Sequence, residues 1–469
     1  MELNPNHETW SIIGTLNDNI GHEAFHIRQA SVETMAFIAE EVGPGQMRQN
    51  DQELMISAFI RLITPEADDE LCLHALKGLY LGMEHTDKIF HSGKGQIIMD
   101  RIYSVVHHQN DKIRVFAFQS IVEIVRIHYN FISEFMEQIT EQTFSSMGDP
   151  CDDVVAQVFE VWTSIAEEEI RAIEKSLANH HIIPTIFEQL ISTLLDEIKK
   201  MDVNENVLEW NGTSSKFSCL RYLARVMKDS ILNPIINFTG ELIGSDNDEL
   251  RYIGILSLGS ALEGPSRERL FDELSPAFSL IMEFMVSPNE QLREIACWFV
   301  SQLCKFSPFL FSVKENFDVL NKNAHQVLEG DPANFQKLCV GYSNLFKQIG
   351  LTDTCIISPD YQNLFKMFLD YAFAGLELTN VEEMNNYIDK GFLALIDMSE
   401  IAPRDVGDQV IEILGNVYEL INNSIQGEKS EKSFCIQKYL FLVYHTIFNN
   451  RLQQGMEPFG VDVANSILD

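Results

Sequence analysis

The chain has 469 residues, too many for one compact core, so two or three domains or one extended repeat array are expected. Its 69 acidic residues outnumber its 34 basic residues, and the net charge of -35 at pH 7 disfavours nucleic acid and acidic membranes as partners. Such a field attracts basic proteins and peptides, although solubility alone is the alternative reason for it.

The cysteines and the hydropathy narrow the cellular setting. The eight cysteines are scattered and form no CxxC pair, which predicts reduced, mostly buried thiols in the cytosol or nucleus. Neither a structural zinc site nor a cofactor is expected. No run of 18 or more apolar residues occurs, so no membrane-spanning helix is expected either.

The first motif in the chain, "HEAFH" at residues 22–26, matches the H-E-x-x-H pattern of zinc peptidases. That chemistry needs His22 and His26 one turn apart on a continuous helix, with Glu23 activating a zinc-bound water. The helix is predicted to open only at Ile27, so the motif lies across a turn. A zinc peptidase is therefore kept only as a remote alternative.

Nearly every segment has the apolar spacing of an amphipathic helix, and the helices repeat. The most similar segments are predicted to be the second helices of successive helix pairs. They start near residues 27, 71, 113, 154, 213, 250, 292, 334, 385 and 433. The first eight starts are separated by 44, 42, 41, 59, 37, 42 and 42 residues, and the long step predicts an inter-helix insertion loop at residues 196–212.

Each repeat shares the same local chemistry. A turn containing Asp, Asn or Pro precedes the second helix, and an arginine often stands near the helix start, as at Arg28, Arg114, Arg251 and Arg293. A step near 42 residues with two helices per unit is typical of HEAT repeats. The fold class is therefore predicted to be all-α, an α-α superhelix built as a single solenoid of about ten repeats over residues 1–469. Unrelated helical bundles would not maintain this step.

Three adjacent carboxylates, Glu167, Glu168 and Glu169, follow the apolar stretch around Trp162. Neighbouring residues on one helix point in different directions, so the three do not converge on one atom as an acid/base pair must. Carboxylates on a solvent-facing wall can accept charge-assisted hydrogen bonds from Lys or Arg. Binding of a basic peptide is the favoured interpretation, and a merely solvated helix end is the alternative.

Several longer segments resemble the importin beta family of nuclear import receptors, the karyopherins. They are "FAFQSIVEIVRIHYNFISEFM", "VFEVWTSIAEEEI", "EWN" at 209–211, "LEGPSRERL" and "LREIACWFVSQLC", in the family's order and spacing. The similarity extends at low identity over residues 8–460. It aligns the chain with repeats four to about thirteen of nineteen, so the family's first repeats and C-terminal half are expected to be absent.

The resemblance implies a non-enzymatic monomer that carries protein cargo through the nuclear pore and occurs in the cytoplasm, the nucleus and at the nuclear envelope. Family members bind Phe-Gly nucleoporins on the outer surface. They hold basic cargo, or the basic helix of an importin-alpha adaptor, on an acidic inner surface. The GTPase Ran releases the cargo.

The family's functional positions carry over to this sequence as three sets. Those for Phe-Gly binding are Met55, Ile56, Phe59, Ile97, Ile98 and Phe135. Those for basic cargo or the adaptor are Glu167, Glu168, Glu169, Glu294 and Trp298. Those of the Ran-contacting loop are Asp202, Glu205, Glu209 and Trp210.

Two departures from the family pattern reduce these expectations. The family's Ran loop is long and acidic, whereas this one holds few carboxylates, which predicts weakened Ran binding. Val340 stands where an adaptor-stacking tryptophan is expected. Two alternatives remain: the Phe-Gly positions can be ordinary core, since helical apolar spacing is common to all repeats, and the chain can be a general HEAT scaffold subunit of a phosphatase or trafficking complex.

Overall fold

The computed structural model describes residues 11–201, 212–330, 334–349, 361–374, 381–401, 419 and 431–453. Every regular element in these ranges is an α-helix or a short 3-10 turn, which confirms the predicted all-α fold class. Of the helices in this part of the chain, none has both the length and the apolar character needed to cross a membrane. The chain divides into two compact units, residues 1–234 and 235–469.

The first unit is a series of helix pairs. In chain order its helices are α1 (Ser11–Asn19), α2 (Phe25–Glu41), α3 (Gln49–Leu62), α4 (Asp69–Leu81), α5 (Asp87–His91), α6 (Gly95–Tyr103), α7 (Asp111–His128), α8 (Met136–Ser146), α9 (Asp152–Glu174), α10 (Ile182–Lys199) and α11 (Gly212–Met227). The second helices of the pairs, α2, α4, α7, α9 and α11, pack against one another in that order. They form one continuous layer in this unit.

The second unit repeats the arrangement, and the boundary between the units falls within the first helix of this series. Its helices are α12 (Leu232–Ile243), α13 (Asp248–Ser260), α14 (Arg267–Leu274), α15 (Phe278–Phe284), α16 (Glu290–Phe306), α17 (Lys314–Gly330), α18 (Phe335–Ile349), α19 (Tyr361–Ala374), α20 (Val381–Glu400) and α21 (Glu431–Gln453). Here α13, α16, α18, α20 and α21 pack in order as the layer of second helices.

The second helices begin where the sequence repeat places them. Each starts within four residues of its predicted position, from Phe25 in the first pair to Glu431 in the last. The helix before the predicted insertion loop extends to Lys199, so its last turn occupies part of the range 196–212. Residues 202–211 of that loop lie outside the described residues.

Asparagines at the starts of second helices join neighbouring repeats. The Asn110 side chain accepts a hydrogen bond from the Lys112 amide at 3.1 Å, which caps α7, and its Nδ2 donates to Asp69 of α4 at 3.1 Å. Asn289 does the same in the second unit, capping α16 and donating to Asp248 of α13 at 3.0 Å. One side chain therefore satisfies an otherwise unpaired helix amide and fixes the spacing between two second helices.

The repeated arginines tie each second helix to the turn before it. Arg114 Nη1 donates to the carbonyl of His108 at 2.9 Å, and Arg28 and Arg293 make the equivalent bonds to His22 and Ser287. Arg114 also forms two parallel bonds to Asp149, at 2.9 and 2.8 Å, in the turn of the next pair. These contacts give a physical reason for the arginine pattern in the sequence.

Candidate functional site

The glutamate run lies inside α9, with a further turn of helix after it, so the expectation that it ends the helix is wrong. Glu168 and Glu169 are buried, and only Glu167 is partly exposed. The three side chains do point to three different places, as expected for adjacent helical residues. Each, however, already has a partner in the protein.

Glu169 caps the next helix. Its side chain has no exposed surface, and its Oε1 accepts hydrogen bonds from the backbone amides of Ile182 and Ile183 at the start of α10, the second at 3.2 Å. Its Oε2 is buried without a hydrogen-bond partner. Burial raises the pKa of Glu169 above its ordinary value, and the two amides act in the opposite direction. Glu169 is therefore a structural cap and is closed to a peptide ligand.

The other two glutamates are neutralised locally. Glu168 forms an ion pair with Arg171 at 2.8 Å, and burial raises its pKa while Arg171 opposes that change. The Tyr222 hydroxyl of α11 donates a hydrogen bond to Glu167, and this bond raises the pKa of Tyr222. The run is therefore not the open acidic wall that the sequence suggested.

Basic side chains also interrupt the acidic character of this layer. Arg126 of α7 forms an ion pair with Glu160 of α9. Tyr222 lies between two guanidinium groups, with Arg221 and Arg225 centred 5.4 and 5.2 Å from its ring. Carboxylates and arginines therefore alternate across α7, α9 and α11, and a basic ligand would have to displace existing partners to bind there.

In the second unit, the predicted pair Glu294 and Trp298 lies on α16. Glu294 is exposed, but it forms an ion pair with Lys337 of α18 at 2.8 Å. The Trp298 indole is half-buried over Gly259 of α13, where an added Cβ would stand 2.4 Å from the ring. Only a glycine permits this close approach of α13 and the indole. Trp298 is thus held in place and keeps one part of its surface in solvent.

Most of the predicted Phe-Gly positions are interior residues. Met55, Ile56, Phe59 and Ile98 have no exposed surface, and Phe135 is 4% exposed. The Phe59 ring packs on Gly78 of α4, where an added Cβ would be 2.5 Å from its Cζ. These five side chains belong to the core between first and second helices, so they are not accessible to a ligand in this conformation. The prediction that they line an open pocket disagrees with the structure.

The first helices nevertheless expose apolar side chains elsewhere. Ile97 on α6 is 53% exposed and is the accessible member of the predicted set. In the second unit, Leu280 on α15 and Val319 on α17 are 40% and 38% exposed, and these two helices pack against each other. The sequence analysis missed Leu280 and Val319 because helical spacing alone does not separate them from core residues.

The zinc-peptidase alternative fails on geometry. His22 precedes α2, which begins at Phe25, and its Nδ1 accepts a hydrogen bond from the Ala24 amide at 3.0 Å. The two histidines therefore do not share a helix face. Among the described residues, no group of three or more His, Cys, Asp or Glu side chains could hold a metal ion.

The predicted Ran-loop residues Asp202, Glu205, Glu209 and Trp210 lie outside the described residues. The same range contains the loop that the sequence analysis identified as less acidic than the family's. Their assignment to Ran stays a prediction.

A second acidic site lies in the first unit, at the C-terminal ends of α2 and α4 beside the last turns of α7. We call it the acidic groove, and it is a cavity of about 230 Å³ whose polar lining residues include Glu40, Tyr80, Glu84, His85 and Glu123. Its apolar lining includes Leu81 and Ile127. The signal in the sequence was a glutamate at nearly the same position of three successive repeats.

The carboxylates of the groove are poorly compensated. Within the described part of the chain, Glu40 and Glu84 make no hydrogen bond or ion pair. Glu123 meets Arg126 only at 4.0 Å, and that arginine is committed to Glu160. Burial raises the pKa of Glu123, and the nearby Glu84 charge raises it further, while Arg126 lowers it. The groove therefore carries negative charge without a matching cation.

Comparisons with known proteins agree with this architecture. No family model matches the chain. Importin subunit beta-1 of Arabidopsis thaliana is 22% identical over 445 residues, covering 89% of this chain and 50% of that relative. Importin subunit beta-1 of Schizosaccharomyces pombe is 22% identical over 477 residues, covering 96% of this chain and 54% of the relative. The chain thus spans about half the length of the curated relatives it matches.

Solved structures give the same result for the fold. A Kap95:Nup1 complex matches with a TM-score of 0.82 and 18% identity, over 95% of this chain and 53% of the matched chain. A structure in which Kap95p induces the switch loops of RanGDP to adopt the GTP-bound conformation matches with a TM-score of 0.82 and 18% identity, over 99% of this chain and 55% of the matched chain.

The repeated helix pairs and these fold matches place the chain in the class of karyopherin-type HEAT-repeat solenoids. Within that class it is similar to importin beta, and the resemblance found in the sequence is confirmed as a divergent one.

Proposed function

We propose that this chain acts as a nuclear transport receptor of the importin beta type, which carries protein cargo through the nuclear pore. In this proposal it binds Phe-Gly nucleoporins on the side of its first helices and a basic cargo or adaptor segment on the side of its second helices. It works by binding and not by catalysis, in the cytoplasm, in the nucleus and at the pore.

One observation carries the proposal. The similarity to importin subunit beta-1 extends over 89% of the chain, and the fold match to Kap95 extends over 95%. A generic HEAT scaffold would share the helix pairs, but it would not share this register over so many consecutive repeats. The net charge of -35 also suits a basic partner.

The matched structures suggest which partners to test. One neighbour is a Kap95 complex with Nup1, and another concerns Kap95p and RanGDP. We infer that nucleoporins and Ran are partners of this chain as well, with Ran binding weakened because the loop residues Asp202, Glu205 and Glu209 supply few carboxylates. Ile97, Leu280 and Val319 are the apolar side chains that a phenylalanine of a nucleoporin can reach on the first helices.

The decisive experiment is binding of the purified full chain to an immobilised Phe-Gly repeat peptide, beside a matched Ser-Gly peptide. We expect binding to the first peptide and none to the second. The double variant Leu280→Asp with Val319→Asp should bind more weakly and keep its helical circular dichroism, because both side chains are already partly in solvent. A general phosphatase or trafficking scaffold would bind neither peptide, and that result would refute the transport proposal.

A further inference from the structure

The acidic groove at the C-terminal ends of α2 and α4 is separate from the glutamate run on α9. Its carboxylates Glu40, Glu84 and Glu123 come from three successive repeats, so the stacking of the second helices brings them together. In contrast to Glu167 and Glu168, Glu40 and Glu84 have no partner within the described part of the chain. The groove therefore has unused capacity to accept hydrogen bonds from a cation.

A buried histidine gives an independent sign of a missing ligand. His85 lines the groove, is 3% exposed, and has an Nδ1 without a hydrogen-bond partner. Burial lowers the pKa of His85, so the ring is neutral near pH 7 and has one acceptor nitrogen. The backbone carbonyls of Val42 and Ala39, which lie beside the ring, can only accept, so they favour the N–H on the nitrogen directed at them. Nδ1 is then left as an unpaired acceptor inside the groove.

The backbone adds to the negative potential. The groove lies at the C-terminal ends of α2 and α4, where unpaired carbonyls and the helix dipoles favour positive charge. The same lining contains Leu81, Ile127 and the ring of Tyr80, which can cover an aliphatic chain. This combination matches a long side chain with an apolar stem and a cationic head. It does not match a bare metal ion, since no metal-holding group occurs among the described residues.

We propose that the acidic groove binds one arginine or lysine side chain from a basic protein segment, with its stem against Leu81 and Ile127 and its charged head between Glu40, Glu84 and Glu123. The unpaired His85 Nδ1 accepts a further hydrogen bond from that head. A guanidinium suits the groove better than an ammonium, because its planar array of five donors can serve several carboxylates and the histidine together. The inference rests on the proposed function in one respect, that a basic protein segment is a natural ligand.

The test measures fluorescence anisotropy of fluorescein-labelled (Gly-Arg)4 and (Gly-Lys)4 peptides with the full chain. The groove variant is E84Q/E123Q, which removes two charges and keeps the shape of both side chains. The control is E134Q/E137Q, which removes two exposed charges near the start of α8 and leaves the net charge equal to that of the groove variant. We expect the groove variant to weaken (Gly-Arg)4 binding by about tenfold, and the control to weaken it by less than about twofold.

Failure of the inference and failure of the proposed function give different results. If the wild type binds (Gly-Arg)4 and both variants lose affinity equally, the groove is not the site, while a basic-ligand function still stands. If the wild type binds neither peptide, both ideas fail for basic ligands, and nucleoporin binding is judged by its own assay. Should E84Q/E123Q lose its helical circular dichroism, E40Q/E84Q replaces it, because both of those side chains are exposed. Unchanged affinity in that variant overturns the proposal.

Discussion

Phe59 and Ile97 show how two apolar residues on first helices can have opposite roles. Phe59 has no exposed surface and packs on Gly78, whereas Ile97 is 53% exposed. We predict that Phe59→Ala lowers the free energy of unfolding by about 3–5 kcal/mol, because it leaves a cavity in the core. Ile97→Asp should leave stability within about 0.5 kcal/mol, because the new charge stays in solvent. Chemical denaturation of the two variants beside the wild type measures both effects.

The same two variants separate core from binding surface. If Phe59→Ala folded with wild-type stability and lost only Phe-Gly binding, the original assignment of Phe59 to the nucleoporin site would be right and its placement in the core would not matter. Ile97→Asp is the matched control, since it changes an accessible residue of the same predicted set. A loss of helical structure in Ile97→Asp would contradict the exposure on which the proposal depends.

Sequence periodicity could not distinguish these residues, for a physical reason. A first helix packs against its own second helix and against the first helices of adjacent repeats, so its apolar side chains cover a wide arc. Ile97 and Ile98 are adjacent in the sequence and both apolar, yet one is exposed and the other has no exposed surface. Exposure depends on how neighbouring repeats stack, and no single repeat contains that information.

At the scale of elements, the turn between α9 and α10 depends on a buried carboxylate. The turn contains two non-glycine residues in the left-handed region, Ser176 at φ 54 and His181 at φ 53, a backbone conformation that costs free energy. Glu169 fixes the end of this turn by accepting from the amides of Ile182 and Ile183. The cap therefore offsets part of the cost of the turn.

We predict that Glu169→Ala lowers the free energy of unfolding by about 1–3 kcal/mol, because two buried amides lose their acceptor. Glu169→Gln, which keeps one oxygen, should cost less. The pKa of Glu169 is raised in the folded state, so the folded protein binds more protons than the unfolded one between the ordinary and the raised pKa. Acidification from pH 7 toward pH 5 should therefore stabilise the wild type relative to Glu169→Gln. Urea denaturation at both pH values measures the difference.

Hydrogen exchange at Ile182 and Ile183 gives a local check on the same cap. Their amides should exchange faster in Glu169→Ala than in the wild type or in Glu169→Gln, while amides in α3 stay unchanged. Equal protection in all three proteins would mean that the carboxylate does not hold the start of α10. A wild type that becomes less stable than Glu169→Gln at pH 5 would contradict the raised pKa.

Helix starts could be predicted from the sequence far better than helix ends or partners. Asn110 and Asn289 stand at the second-helix starts because their side chains cap the following amides, and this chemistry is local. The glutamate run was placed at a helix end, but α9 continues to Glu174. The partners of Glu167 and Glu169 come from later helices, α11 and α10, so the sequence near the run could not reveal that those carboxylates are occupied.

At the scale of the whole molecule, the net charge of -35 acts at longer range than any single contact. It attracts a cationic peptide before the two molecules touch, whereas the groove residues act only after contact. Long-range attraction is screened when the Debye length shortens from about 10 Å at 0.1 M salt to about 3 Å at 1 M. Salt should therefore mainly change the association rate constant, and groove substitutions should mainly change the dissociation rate constant.

We predict that the association rate constant of labelled (Gly-Arg)4 falls by about tenfold between about 0.05 M and 0.5 M salt, in the wild type and in E84Q/E123Q alike. The dissociation rate constant should be about tenfold higher in E84Q/E123Q than in E134Q/E137Q at either salt concentration, because only the first pair contacts the bound side chain. Stopped-flow anisotropy measures both constants. An association rate that ignores salt would mean that the acidic field serves solubility alone, since a field that recruits a basic partner must weaken when ions screen it.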